Sequence, residues 1–133
     1  VVAYDGTDFS GWQIQTNGPS IQQHLAEAIE KTSGERSNPV GSGRTDSGVH
    51  ALAQVAHFDT SSTISVKKWL GAFHHYLPRA IVVREACEVP MTFDAQRNAI
   101  RKLYRYIFHD ADWPDPFMRR YSWKVHTRLD ESL

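Results

Sequence analysis

Cysteine is almost missing from this chain. Cys87 is the only one among 133 residues, which excludes an internal disulfide, and without CxxC pairs there is no zinc-ribbon spacing. A lone thiol of this kind is expected as a small buried hydrophobe. Excess charge of either sign is missing too: Lys+Arg and Asp+Glu both number 15, a formal net charge of zero. Neutrality does not advertise a polyanion as ligand, although a basic face can coexist with it. No apolar run approaches the roughly 20 residues that cross a bilayer, and no secretory leader is visible. The chain does not begin with Met, so a preceding segment stays open, and the cytoplasm is the expected compartment. Internal repeats and low-complexity segments are absent. The length suits one domain with one hydrophobic core.

What is present concentrates in the run from Val40 to Ala51. Gly41, Gly43 and Gly48 alternate there with Ser42 and Ser47, and Arg44 and Asp46 are separated only by Thr45. Glycines at this density permit positive φ or close approach of another molecule. The run ends in the apolar stretch Ala53 to Phe58, so it reads as a loop feeding a strand. A carboxylate on such a loop can be held in fixed geometry for chemistry. Gly, Ser and Asp are also ordinary turn formers, and a purely connecting loop would have the same composition. His50 and His57 have no spaced set of further ligands around them, so no metal site is expected. His57 reads as a strand residue with a satisfied ring nitrogen.

Along the chain, Val1 to Tyr4 is a short apolar strand stopped by the turn dipeptide Asp5-Gly6. Phe9 and Trp12 read as caps on the edge of a core. Ser20 with Gln23 has the capping-box form, Ile21, Leu25, Ala28 and Ile29 recur at helical spacing, and Gly34 supplies a stop. Glu27 and Lys31 form an i,i+4 pair. The stretch Ala53 to Phe58 lacks polar alternation and is expected as a central strand covered on both faces. Ser65 opens a second helix carrying Val66, Trp69, Leu70, Phe73 and Leu77, closed by Pro78. His74 and His75 near its C-terminus suit the helix dipole. Ile81-Val82-Val83 is the next strand, ending near Pro90. The resulting order is βαββαβ, the ferredoxin-like pattern shared with RNA-recognition folds, an α+β sandwich with one additional strand. That strand is Ala99 to Phe108, where Tyr104, Tyr106 and Phe108 alternate with Leu103, Arg105 and Ile107. Arg97, Arg101, Lys102 and Arg105 interleave with these aromatics, a mixture in which cations meet phosphates and rings stack on unpaired bases. The competing reading, preferred for Tyr106 and Phe108, is an aromatic core stripe with a solvated charged edge. Trp113 to Phe117 is a turn-rich linker.

Gly43-Arg44-Thr45-Asp46-Ser47-Gly48-Val49-His50-Ala51, followed by Gln54-Val55-Ala56-His57-Phe58-Asp59-Thr60, resembles the signature AGRTDAGVHA and its following QVxHFDT strand. That signature belongs to the tRNA pseudouridine synthase A (TruA) family. Ser42 and Ser47 stand where the family has alanines. Tyr4 to Gln15 is similar to the family's opening YDGxxFxGWQxQ. The second helix is similar to WxxGxNxxLP with His74 in place of Asn, and Ala99 to Tyr106 to AxxRxYRY. The family's F-H-A-R appears as Phe93-Asp94-Ala95-Gln96, without its His and Arg but with Arg97 adjacent. Spanning essentially the whole chain, the resemblance covers about half of a protein of that type. It implies a pseudouridine synthase fold, with residues 1–112 as the catalytic N-terminal subdomain. Residues 113–133 would be the linker and start of a C-terminal half, and Leu129 to Leu133 the beginning of its next helix.

What the resemblance implies for function is isomerisation of uridine to pseudouridine in the anticodon stem-loop of tRNA, by a homodimer. The reaction breaks the N1–C1′ bond, turns the uracil and rejoins it through C5. It changes no oxidation state and needs no cofactor. One carboxylate attacks C1′ or removes a ribose proton, and Asp46 matches the family's catalytic Asp. Arg44 is then the cation beside it or the group that fills the space of a base taken out of its stack. Tyr104 matches the tyrosine that lies against the target uracil, and Arg97, Arg101, Lys102 and Arg105 are the candidate RNA contacts. In the family a further basic residue from the C-terminal half also meets the Asp. The main alternative is a non-catalytic RNA-binding module of RRM-like fold, which needs basic and aromatic residues but not Asp46. A domain kept only for dimer contacts would need neither.

Overall fold

The computed structural model describes residues 1–130. The chain forms two compact units, Val1–Ile100 and a second from Arg101 onward. The first contains β1 (Val2–Tyr4), α1 (Ile21–Ser33), β2 (Val40–Gly41), β3 (Ala51–Gln54), β4 (Ala56–His57), α2 (Val66–Tyr76) and β5 (Ile81–Val83). The second contains β6 (Phe108–His109) and β7 (Trp123–Lys124). The fold is thus mixed α/β, with small sheets and two helices among the described residues.

Helix α1 forms where its capping signals stand. The Ser20 hydroxyl accepts from the Gln23 N–H at 3.2 Å, and Gly34 closes the helix at φ +78° with its N–H on the Glu30 carbonyl. Only half of the expected capping box is made, because the Gln23 amide donates forward to Glu27 at 2.9 Å. Lys31 turns to the Tyr76 ring, 5.9 Å from its centroid, instead of pairing with Glu27. Ile21, Leu25, Ala28 and Ile29 are buried as their spacing requires. Ile21 and Ile29 are completely covered, each contributing roughly 1.5–3 kcal/mol by burial. Helix α2 lies against α1 and β5 and buries Trp69 and Phe73, whose rings stack at 5.7 Å. His74, expected only to favour the helix end, has its Nε2 2.8 Å from the Val83 carbonyl and ties α2 to β5.

Strand β1 is the centre of a sheet ordered β3-β1-β5, antiparallel on both sides. Val2 pairs with Val83 and Tyr4 with Ile81, and all four are buried while Val82 is exposed. One face therefore carries the core, completed by Phe9, Trp12 and the two helices. A second sheet pairs β2 with β4, Val40 opposite His57.

Three expectations are corrected. The Ala53–Phe58 run is no continuous strand covered on both faces: it divides at Val55 between β3 and β4, and Ala53 and Val55 are exposed. The register of β3 against β1 slips between Val2 and Tyr4. The expected strand Ala99–Phe108 is paired only at its end, where Phe108 and His109 run parallel to Trp123 and Lys124. A strand needs a backbone partner, and before Ile107, whose carbonyl accepts from the Trp123 N–H at 2.7 Å, residues 99–106 have none among the described residues. Tyr106 and Phe108 are accordingly exposed and form no core stripe. Cys87 is exposed rather than buried, because it lies in the irregular run after β5 in which every residue from Arg84 to Pro90 is exposed. Leu129 and Asp130 are not helical, and the rest of the helix start expected there lies outside the described residues.

Glu35 links the loop after α1 to the loop after β4. Its carboxylate accepts from both Thr60 and Ser61 hydroxyls and from the Ser61 N–H. The Ser61 hydroxyl first, then that of Thr60, holds its pKa below the ordinary carboxylate value. A lowered pKa in the folded state means stability that is present above the unfolded value and lost as pH falls through the folded one. Glu35→Gln should therefore be less stable than wild type near neutrality, with the gap closing between about pH 5 and pH 3. Urea unfolding across that range checks it, and a gap independent of pH would contradict it.

Candidate active-site loop

The loop from Ser42 to His50 leaves β2 at Gly41 and enters β3 at Ala51. It does not stand free. The segment Tyr4–Trp12, read from sequence mainly as a core edge, lies beneath it. The Trp12 N–H donates to the Thr45 carbonyl at 2.9 Å, and the Tyr4 hydroxyl is 2.8 Å from the Thr45 hydroxyl. Phe9 offers its carbonyl to the Gly48 N–H at 3.3 Å and to the Ser47 hydroxyl at 3.2 Å. The Gly6 N–H donates to His50 Nδ1 at 3.1 Å, and that same nitrogen lies 3.1 Å from Asp5 Oδ1. A nitrogen cannot accept from the amide and donate to the carboxylate at once, so only one of these two contacts is a hydrogen bond in a given tautomer.

On the other side of the loop, Gln54 reaches across from β3. Its amide NH₂ donates to the Gly43 carbonyl at 2.5 Å and its oxygen accepts from the Ser42 hydroxyl at 2.7 Å. Gln54 is one of three polar residues buried in the described chain, and its hydrogen bonds are satisfied, as a buried amide requires. Glycine is needed at several places, among them Gly6, where a Cβ would come within 2.0 Å of the Val49 carbonyl oxygen. Gly48 turns the loop at φ +79°. Gly11, outside the loop, sits at φ +91°, and a Cβ there would come within 2.5 Å of the Thr45 carbonyl oxygen.

Within this frame Arg44 and Asp46 are both exposed, with Thr45 turned partly inward between them. Among the described residues, neither the Asp46 carboxylate nor the Arg44 guanidinium makes a hydrogen bond or ion pair. The pairing of Arg44 with Asp46 entertained from sequence is not made. Arg44 instead borders a cavity of about 150 Å³ with Trp12, Gln13, Gln22 and Gln96. Arg97 belongs to the first unit, its Nε 3.7 Å from Asp94 Oδ2. Arg101, Lys102, Tyr104 and Arg105 belong to the second, and all four are exposed.

The departure at Phe93–Gln96 has a structural role of its own. Asp94 accepts from the N–H groups of Gln96 and Arg97. Those bonds, the Arg97 one foremost, hold its carboxyl below the usual range. The neighbouring Ala95 N–H donates to His57 Nδ1 at 3.1 Å, and the Phe93 ring meets the His57 edge at 6.0 Å. His57 is thus a strand residue with a satisfied nitrogen, as its sequence context suggested. Among the described residues no three His, Cys, Asp or Glu side chains converge as metal ligands.

Sequence reasoning did not find the underlying bed of the loop. The signals were Gly6 and Gly11 close to the two aromatics, and Gln54 as the polar residue in an otherwise apolar run.

The comparisons with known proteins follow this geometry. The family model described as tRNA pseudouridine synthase matches residues 1–96, which include the loop and its bed. A tRNA pseudouridine synthase A of Moorella thermoacetica is 44% identical over 131 residues, 97% of this chain and 53% of the relative. One of Thermoanaerobacter sp. (strain X514) is 45% identical over 130 residues, 98% of the chain and 53% of the relative. The relative in Rippkaea orientalis is 42% identical over 134 residues, 100% of the chain and 46% of the relative. The chain belongs to the tRNA pseudouridine synthase family. It spans about half the length of the curated relatives it matches.

Gly11→Ala should destabilise the first unit by about 2 kcal/mol or more, from the strained backbone and the displaced Thr45 carbonyl. Gly71→Ala, on a helical surface with nothing within 4 Å of the added Cβ, should stabilise by about 0.5–1 kcal/mol. Paired urea titrations check both signs. Equal effects at the two positions would mean that Gly11 carries no close approach.

Proposed function

We propose that the chain is the N-terminal half of an enzyme that isomerises uridine to pseudouridine in the anticodon stem-loop of tRNA. The observation that carries this reading is the Asp46 carboxylate, exposed on a loop gripped at Thr45 and engaged by no other described side chain. A carboxylate kept for structure has partners, whereas one kept for a ribose must be free when substrate arrives. Family membership and the similarity to proteins named tRNA pseudouridine synthase A supply the substrate class.

In this mechanism Asp46 acts at the ribose, as nucleophile on C1′ or as base on a neighbouring proton. The N1–C1′ bond breaks, the uracil turns, and C5 joins C1′; the C5 proton is lost to the medium and N1 takes one up, so the product is an isomer of the substrate. Electrons are neither gained nor lost. Arg44, unpaired beside the Asp46 position, is available to a phosphate or to the gap left by a flipped uridine. Tyr104 lies against the target uracil, and Arg97, Arg101, Lys102 and Arg105 meet the RNA backbone.

The finer architecture belongs to the same proposal. Strands β3 and β4 are separated only by Val55; joined across it, they give the order β5-β1-β3/β4-β2, antiparallel throughout. That joined order supports a ferredoxin-like sheet with α1 and α2 packed together against it. Residues 1–112 then serve as the catalytic subdomain, and 113–133 lead into a C-terminal half that supplies the other wall of the cleft. The enzyme works as a homodimer in the cytoplasm. No helix among the described residues is long and apolar enough to cross a membrane.

Pseudouridine formation on a tRNA transcript, measured with the full-length protein that contains this chain, tests the reading. Wild type should convert anticodon-arm uridines, and Asp46→Ala should bind the tRNA yet convert none. The isolated 133-residue chain should also be inactive. Equal conversion by wild type and Asp46→Ala would refute the catalytic role. RNA binding without conversion by either would leave a binding module on the same scaffold.

A further inference from the structure

Thr45 is held at both its polar ends. Its carbonyl takes the Trp12 N–H at 2.9 Å and its hydroxyl lies 2.8 Å from that of Tyr4. Both holders are rooted in the core, Tyr4 at 4% and Trp12 at 2% exposure, with ring centroids 6.3 Å apart. The root continues into α1, whose first amides, Ile21 and Gln22, donate to the Gly11 and Trp12 carbonyls at 3.1 and 3.0 Å. The side chains of Arg44 and Asp46, which flank this fixed point, have no described partner. The Asp46 backbone is held on its far side, where its carbonyl accepts from the Val49 N–H at 3.2 Å, so the Thr45 contacts set the direction of Asp46 from the near side.

We propose that the Tyr4–Thr45 hydroxyl pair is a positioning device for the reaction, one that sets the aim of Asp46 without touching the substrate. This rests on the catalytic reading of Asp46 given above. The Thr45 hydroxyl makes no other described hydrogen bond. Removing the pair leaves the Trp12 N–H anchor in place, so the loop stays folded while its rotation at Thr45 loosens. The penalty then falls on the chemical step, because misplacing a reacting group by about 1 Å costs on the order of 100-fold in rate, and not on tRNA affinity.

The test uses the full-length protein and a tRNA transcript, reading single-turnover rate, tRNA dissociation constant and thermal midpoint. Thr45→Val keeps the shape and removes the hydroxyl, Tyr4→Phe keeps the buried ring and removes its hydroxyl, and Thr45→Ser keeps the hydroxyl. Thr45→Val and Tyr4→Phe should each slow the single-turnover step roughly 10- to 100-fold with tRNA affinity within about 2-fold of wild type. The double variant should be no slower than the worse single, and Thr45→Ser should retain most of the rate. Wild-type rates in Thr45→Val and Tyr4→Phe would overturn the proposal. So would a Thr45→Ser as slow as Thr45→Val, or a rate loss that merely follows the thermal midpoint. Asp46→Ala, run alongside, keeps the two claims apart: if it is inactive while the hydroxyl variants are normal, the pair fails and the catalytic reading stands.

Discussion

Strand β1 pairs with β3 on one edge and β5 on the other, and the loop geometry depends on that double pairing. The alternation along its three residues turns Val2 and Tyr4 to the core. Tyr4 is the residue through which a core side chain reaches Thr45, since its ring is buried and its hydroxyl meets that of Thr45, while Trp12 and Phe9 reach the loop through their backbones. An apolar residue at this position would fill the same space and leave the loop without that contact. The chain leaving β1 passes directly beneath the loop it supports, and Gly11 lets it do so at hydrogen-bonding distance.

The electrostatics are arranged to leave charge uncommitted. The chain is neutral overall, and several of its surface charges are bound in local roles: Glu35 on Thr60 and Ser61, Asp94 on its own turn, Arg36 on Glu30. Arg44 and Asp46, two residues apart, are left unpaired among the described residues. In the proposed reading that is the signature of a site awaiting a polyanion with a ribose at its centre. Neutral net charge is compatible with it, because binding depends on where cations stand.

The helices were legible in detail because their signals are local: the Ser20 cap, the Gly34 stop and the stripe of Ile21, Leu25, Ala28 and Ile29 act within one or two turns. The short strands at Val2–Tyr4 and Ile81–Val83 were legible for a similar reason, as apolar runs bounded by turn residues. Strand context was not. Whether Ala53–Phe58 is covered on one face or on both depends on what packs against it from far away in the chain, and Ala53 and Val55 are left exposed. The alternation of Ala99–Phe108 is genuine, but periodicity does not supply a partner strand. Cys87 followed the same pattern, since a small apolar residue says nothing about whether the chain around it is covered. At the candidate site, Arg44 and Asp46 stood out because the run around them resembles a family signature, whereas its composition alone would equally suit a connecting loop. The residues that hold them, Tyr4, Trp12 and Gln54, looked like core and strand positions, and only the folded chain brings their polar atoms to the loop.

The central claim is that a loop fixed through Thr45 presents Asp46 to the ribose of the target uridine. Its most direct measurement is a structure of the full-length protein bound to its tRNA, read as the distance from the nearer Asp46 carboxylate oxygen to C1′ of the extruded uridine. The account predicts about 3–3.5 Å, or contact with the neighbouring ribose proton. An Asp46 beyond about 8 Å, with another carboxylate within reaction distance, would contradict it.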